Sequence, residues 1–417
     1  MSGKTALRYA LVGDGESPHL LKWARALHPL VDVWVCSSRD FLPELAGLVP
    51  AEKRLALQTN PEHRGGNVAL LKHVPAVGRW LRMVDADWIN PHYLTSHGTL
   101  VWLAKQGWGL RGKVLASAWG SDVLVTPQRS FVYRKLTQAI VRQADLCTSD
   151  SQHMTRIMQQ MGAKRIETFP FGLDALPPKF AQAKQPWLFY ANRGLEPIYQ
   201  PLRVLAFFKA VAAWQPQAQM VVANTGSQLQ AMQDWVEREG LAQRVQFAGR
   251  LSASEQAQWY DCAQWYISLP QSDSVAVSVL EAMAHGCIPL LSDLPANREL
   301  VQDAALEQAN GWIVPDGVES ENSSTPFALS KVEGHGRAKP LQEGFDRLSP
   351  NGSGGNRQNI SLNDFKSEST TLSTSGVLPA LLQRAPAIAA HNRQWVQQHG
   401  LFAPAVQQLV QKLQGMA

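Results

Sequence analysis

Cysteine is scarce in this chain. Four occur in 417 residues (Cys36, Cys147, Cys262, Cys287), without the close pairing that metal ligation uses. Cys36 and Cys287 lie in apolar, strand-like runs and read as small core residues, which suits a reducing cytoplasm better than a disulfide framework. No run of 18 uncharged apolar residues appears, so no membrane-spanning helix is expected. Residues 1–8 run straight into a strand-like segment, and no signal peptide is expected. A serine or cysteine triad signature, a His/Cys/Asp/Glu metal cluster and a nucleic-acid-binding motif are also missing. What remains is a globular chain, 45% hydrophobic, long enough for two domains with separate cores.

Charge is unevenly spread. Residues 1–175 carry 21 Lys and Arg against 14 Asp and Glu, whereas the whole chain carries 39 against 34. The basic first half suits nucleic acid, an acidic substrate or an anionic membrane surface, or is plain surface solvation. Residues 129–143 set Arg129, Arg134, Lys135 and Arg142 against Phe131, Val132, Leu136, Ile140 and Val141. That pattern is either an ordinary surface helix or one that lies on a membrane.

The most informative stretch is 271–299, read as loop, helix, turn, strand and loop. Ser272, Asp273 and Ser274 can cap a helix start, Gly286 stands where a left-handed C′ residue is wanted, and Pro289 prevents continuation. Between them, Val275 to Ala284 leave no clear polar face, as in a buried helix. Glu281 lies inside that run. A buried carboxylate is costly, so it needs a dedicated partner. The helix start is an anion site. A phosphate there and a hydroxyl-bearing group at Glu281, two turns along, would describe a nucleotide.

The rest of the chain alternates strand and helix in two series. Residues 7–13 are a strand ending at Gly13-Asp14-Gly15, followed by Ser17-Pro18-His19 and an amphipathic helix with Leu20, Leu21, Trp23, Ala24 and Leu27. This opens a doubly wound α/β domain. The glycine turn lacks the third glycine of a dinucleotide fingerprint. Strands follow at 31–36, 87–90, 114–117 and 145–149, with a helix starting near Thr99. Residues 168–178 read as an interdomain linker. The alternation then restarts, with strands at 187–192, 218–223, 245–247 and 266–269 and helices at 201–214, 228–239 and 254–263. Residues 319–375, rich in Ser, Gly, Asn, Thr and Lys, read as a disordered insertion. Helical periodicity resumes over 380–398 and 401–414.

Asp273 and Glu281, separated by seven residues, together with Leu280-Glu-Ala-Met-Ala-His-Gly286 and Asn310-Gly-Trp-Ile-Val-Pro315, resemble glycosyltransferase family 4, the retaining enzymes of the GT-B fold. The resemblance covers nearly the whole chain outside 319–375. It implies two Rossmann-like domains facing across a cleft. The N-terminal acceptor domain would span 1–175 and the nucleotide-sugar domain 176–400, with a C-terminal helix at 401–417 returning to the N-domain. It further implies that Glu281 binds the ribose, while Asp273 and the amides of Ser274, Val275, Ala276 and Val277 hold sugar and diphosphate. Arg193 would neutralise the diphosphate, while Tyr199 stands where the family usually has a lysine. Gly13, Gly249 and Arg250 would border the donor. Asp14, Ser17, His19, Tyr93, Gly120 and Ser121 would face the acceptor, with His92 or Asp122 at the reacting sugar. The family pattern departs at Asp273, usually glutamate, and at Trp119, often histidine.

The implied reaction is front-face transfer of a sugar from a nucleotide diphosphate sugar to a hydroxyl, without metal or other cofactor. The leaving phosphate takes the acceptor proton, and Asp273, Arg193, His92 and Asp122 serve the reacting centre. The expected partners are the donor, a glycan or lipid-linked acceptor and the inner face of the plasma membrane, contacted peripherally; nucleic acid is not expected. Such relatives build cell-surface polysaccharide or glycolipid. A nucleotide-sugar epimerase and a binding protein without turnover are the alternatives.

Overall fold

The computed structural model describes residues 7–59, 68–178, 183–301, 310–316 and 373–416. Two sheets account for its strands. The first contains β1 (Arg8–Gly13), β2 (Asp32–Ser37), β3 (Arg54–Ala56), β4 (Trp88–Pro91), β5 (Lys113–Ser117), β6 (Leu146–Ser149) and β7 (Ile166–Thr168), in the order β3-β2-β1-β4-β5-β6-β7. The second contains β8 (Gln185–Ala191), β9 (Gln219–Ala223), β10 (Val245–Gly249), β11 (Ala263–Ser268), β12 (Ile288–Ser292) and β13 (Trp312–Val314), in the order β10-β9-β8-β11-β12-β13. All pairings between these strands are parallel.

Parallel strands need crossovers, which cover both faces of a sheet with helices and demand apolar side chains on both sides. The sequence meets that demand. All six residues of β11 and all five of β12 are buried, as are five of six in β1. In each sheet the strand order reverses once, between β1 and β4 and between β8 and β11. Ligands of such sheets sit beyond the carboxyl ends of the strands at that reversal.

The chain crosses between the halves twice, and the crossings lie side by side. Leu173 bridges to Leu401; its N–H donates to the Gly400 carbonyl at 2.7 Å, and the Phe402 N–H donates to the Leu173 carbonyl at 2.9 Å. The final helix, Phe402–Met416, packs Phe402, Val406, Leu409, Val410 and Leu413 into the N-terminal core with Tyr9, Leu11, Leu20 and Trp23. Trp88 Nε1 donates to the Leu413 carbonyl at 3.3 Å.

Of the expected insertion, residues 319–372 lie outside the described residues. Its far boundary falls earlier than expected. Ser373 caps a helix over Thr374–Gln383, whose Leu378 and Leu381 join the C-terminal core and so give the segment enough burial to order it. The helix expected from Thr99 is preceded by a π-helical turn over Tyr93–Gly98, and the basic helix expected over 129–143 breaks at Ser130, which caps Phe131–Gln143. Among the described residues no helix is long and apolar enough to cross a membrane, and no group of three or more His, Cys, Asp or Glu side chains is placed to hold a metal ion.

Candidate active site

A cleft of about 540 Å³ lies between the two sheets' carboxyl edges, lined from one side by His19, Trp119 and Asp150 and from the other by Arg193, Asp273 and Glu281. Residues 273–276, just before a helix, line it from the C-terminal side. That helix spans Val277–Ala284, with Ala276 at the N-cap and no side chain capping it. The expected caps Ser272, Asp273 and Ser274 precede the observed N-cap Ala276, and two of them are committed to partners outside the helix. Asp273 Oδ2 accepts from an Arg193 guanidinium nitrogen at 2.6 Å, and the Ser274 hydroxyl donates to Asp150 of the N-terminal domain. The first turn therefore keeps free N–H groups and the positive end of its dipole, which together favour an anion.

Glu281 has the dedicated partner its burial requires. Tyr260 Oη donates to Glu281 Oε2 at 3.0 Å, and burial pushes the Glu281 carboxyl above the usual range against that bond's pull. Tyr260 belongs to a connected polar network. Asn192 Nδ2 donates to Tyr260 Oη at 2.8 Å and to Gln256 Oε1 at 2.7 Å; Tyr266 Oη donates to Asn192 Oδ1 at 2.8 Å and lies 2.8 Å from Ser278 Oγ, whose hydroxyl can donate to it. A network with every member bonded holds its side chains in one arrangement. Here it fixes the carboxylate facing the cleft. Sequence reasoning missed these partners, although each stands on or just after a strand or helix that borders the reversal point.

Arg193 follows β8 directly and reaches three groups. Besides Asp273, it donates to Ser278 Oγ at 3.3 Å, and its guanidinium lies 4.5 Å from the centre of the Tyr199 ring. Burial opposes its charge, yet Asp273 and the tyrosines hold its pKa above the usual value. Burial raises the Asp273 carboxyl in turn, with Arg193 pulling it back down. Tyr199 thus supports the arginine through its ring face where a second cation was expected.

On the opposite wall, His19 packs against Trp119 and Phe171, each at 5.0 Å between ring centroids, and Trp119 meets Phe171 at 5.1 Å. Burial, with Lys22 nearby, lowers the His19 pKa. The neighbouring acceptor-side residues mostly build loops. Ser17 caps the Pro18–Leu27 helix, Asp14 stands 3.6 Å from Arg39, and Tyr93 Oη meets Ser121 Oγ at 2.6 Å. Gly120 brings the N-domain loop close to Ser274; a Cβ there would stand 3.5 Å from the Ser274 Cβ.

Two residues expected at the reacting sugar stand behind the cleft instead. Asp122 is fully buried and accepts from the backbone N–H of Leu94 at 2.8 Å and of Trp119 at 2.9 Å, clamping one loop to the other. Burial pushes its carboxyl up to about 6. His92 is 4% exposed, bonds Asn90 Oδ1 at 2.9 Å and packs edge-on against Trp23; burial drives its pKa down to about 3. Each was expected from a loop position that does end at the cleft, but the side chain points back into the fold. Gly13, Gly249 and Arg250 also do not line the cleft. Gly249 acts one step removed, its carbonyl accepting from the Asn224 N–H at 2.5 Å, and Asn224 does line it.

Comparison with known proteins agrees with this architecture. The family model of group 1 glycosyl transferases matches residues 175–325, and that of glycosyl transferase 4-like proteins matches residues 8–151. No curated protein matches in sequence. Among solved structures, Anabaena HepE in complex with UDP is similar at a TM-score of 0.67 and 14% identity, covering 98% of this chain and 100% of its own. Sucrose-phosphate synthase from Thermosynechococcus elongatus gives 0.66 and 14%, covering 99% and 100%. The lipopolysaccharide outer core galactosyltransferase WaaB, in its apo form, gives 0.54 and 17%, covering 70% and 83%. Two parallel-sheet domains facing across a cleft are the GT-B fold they share.

Proposed function

The chain belongs to the group 1 glycosyltransferases of family 4, and from that premise we propose that it transfers a hexose from a nucleotide diphosphate sugar to a hydroxyl acceptor with retention at the anomeric carbon. The observation that carries this reading is the uncapped start of the Val277–Ala284 helix, with Arg193 beside it and Glu281 one turn on. Diphosphate at the helix start would meet backbone N–H groups and a guanidinium, and the ribose hydroxyls would meet the Glu281 carboxylate. Uridine is the first base to test, because HepE binds UDP.

In this reading the protein lowers the barrier chiefly by stabilising negative charge that builds on the leaving diphosphate. Arg193, held by Asp273, Ser278 and the Tyr199 ring, needs little rearrangement to do so. Asp273 faces the sugar, and the released phosphate takes the acceptor proton. The rings of His19, Trp119 and Phe171 offer apolar faces to a sugar or lipid-linked acceptor. His92 and Asp122 serve by holding the loops that carry these rings.

Cell-surface glycan synthesis is the biological setting we favour, in line with the named role of WaaB. A peripheral contact with an anionic membrane fits the same setting. Phe131 and Val132 are 70% and 72% exposed at the start of a helix bearing Arg134 and Lys135, with Arg129 just before it.

Transfer assays with UDP-, GDP- and ADP-sugars against glycan and glycolipid acceptors, with product anomers read by NMR, test the reading. Glu281→Ala is expected to abolish nucleotide binding, and Arg193→Ala to lower kcat by about 10²–10³-fold. Near-wild-type transfer in either variant would remove the assigned site. Inverted product would remove the retaining mechanism. Free or epimerised sugar would favour an epimerase, and binding without turnover would favour a nucleotide-sugar-binding protein.

A further inference from the structure

Asp150 stands at the end of β6 in the N-terminal domain, yet its carboxylate belongs to the donor loop of the other domain. It accepts a hydrogen bond from the Ser274 hydroxyl. Ser151 Oγ lies 3.2 Å from Ser274 Oγ as well. A second interdomain contact lies alongside. Glu299 accepts from the Gln152 N–H at 2.8 Å and the His153 N–H at 2.7 Å, at the start of the Gln152–Met161 helix. Glu299 thus supplies that helix with the anion its N-terminus favours. Asp150 does something different. It puts a carboxylate on a donor, the Ser274 hydroxyl, in the cleft lining.

That placement is electrostatically awkward. Of the ionised side chains lining the cleft among the described residues, Arg193 is a cation whereas Asp150, Asp273 and Glu281 are carboxylates. Arg193 is already paired with Asp273 at 2.6 Å. Burial pushes the Asp150 carboxyl up to about 6, Ser274 draws it down and Asp273 adds to the rise. A buried acid beside a second acid is costly unless the arrangement serves a purpose. A diphosphate brings further negative charge to the same segment and would find Asp150 in its path.

We propose that Asp150 is a donor-site residue supplied by the N-terminal domain, whose carboxylate competes with the nucleotide diphosphate for the Ser274 hydroxyl at the donor loop. The proposal rests on the reading of Ser274–Val277 as the phosphate-binding segment. Diphosphate binding and the Asp150–Ser274 contact then exclude each other. Each nucleotide that enters breaks an interdomain contact, and each nucleoside diphosphate that leaves lets it re-form. Asp150 would therefore weaken product retention by the same factor as it weakens donor binding.

Calorimetric titration of the full chain with UDP, GDP and ADP tests this. Asp150→Ala is expected to bind the cognate diphosphate at least fivefold more tightly than the wild type. Asp150→Asn, which keeps the shape and removes the charge, is expected to gain part of that factor, and it serves if the alanine variant does not fold. Unchanged or weaker binding in the folded variants would overturn the competition. Glu281→Ala in the same titration separates the two ideas. Wild-type affinity there would remove the donor site itself, whereas lost affinity there with no gain at Asp150 would remove only the role of Asp150. Failure of all three nucleotides to bind the wild type and both Asp150 variants would overturn both.

Discussion

Arg193 meets three unlike partners: the Asp273 carboxylate at 2.6 Å, the Ser278 hydroxyl at 3.3 Å and the Tyr199 ring at 4.5 Å. The sequence makes the arginine visible, along with the tyrosine in an expected lysine position. It could not make visible that the ring lies under the guanidinium, because stacking depends on a turn at Pro197–Tyr199 whose geometry no spacing encodes. Glu281 was legible for a simpler reason, being a charge in an apolar run. Asp150 was not, because an acid after a strand is usually a loop residue. His92 offers a prediction at this scale. Its pKa falls from 6.5 to about 3 on burial, so below pH 6.5 the unfolded chain takes up a proton that the native chain refuses. Native stability contributed by the neutral imidazole is present above pH 6.5 and is lost as pH falls toward 3. Between pH 6.5 and 5 this amounts to about 2 kcal/mol. Asp122 acts in the opposite sense, since its raised pKa makes ionisation cost native stability as pH rises from 3.8 through about 6. Urea unfolding of the wild type and His92→Gln isolates the histidine. The wild type should lose about 2 kcal/mol relative to the variant between pH 7.5 and 5, and parallel pH profiles would contradict it.

The Val277–Ala284 helix and its exit are fixed by local chemistry at one end and by tertiary demand at the other. At the exit, Gly286 adopts φ +78°, its N–H donates to the Met283 carbonyl at 3.0 Å, and the Cys287 N–H donates to the Ala282 carbonyl at 2.8 Å. This is the Schellman closure that the glycine promised. A Cβ at Gly286 would also approach the Ala389 Cβ at 3.1 Å, where the Ala385–His399 helix packs. Gly286→Ala is therefore expected to cost about 1–3 kcal/mol, read as a lowered denaturant midpoint with unchanged slope. An unshifted midpoint would show that the turn relaxes freely. The helix start was misread because capping preference is local, whereas Asp273 and Ser274 answer to Arg193 and to the other domain. The Val74–Val84 helix was missed for a related reason. Pro75 and Gly78 look like breakers, but the proline sits in the first turn, where it is tolerated, and Gly78 is where the Trp108 ring presses against the helix. Strands β3 and β7 carry three half-buried residues each, too few for any period to register.

For the whole molecule, two α/β halves were readable because strand, turn and helix repeat with nearly continuous apolar strands, the mark of sheets covered on both faces. The contacts between the halves were not readable, since Glu299, Ser274 and Asp150 belong to no repeating pattern. The proposed membrane face is also a property at this scale. A Phe131→Ser, Val132→Ser double variant is expected to lose at least fivefold in cosedimentation with phosphatidylglycerol-containing vesicles, given about 1.5–3 kcal/mol for burying each large apolar side chain. Equal sedimentation of variant and wild type would remove that face. The paired crossings at Leu173 and Leu401 carry a practical consequence. Because the two connections lie side by side, a rotation of one half against the other is expected to hinge there. The Phe402–Met416 helix travels with the N-terminal sheet although it follows the C-terminal one. A fluorescent probe on that helix paired with one on β1 would stay silent through any opening of the cleft. A probe on the Leu229–Arg238 helix, paired with either, would report the angle.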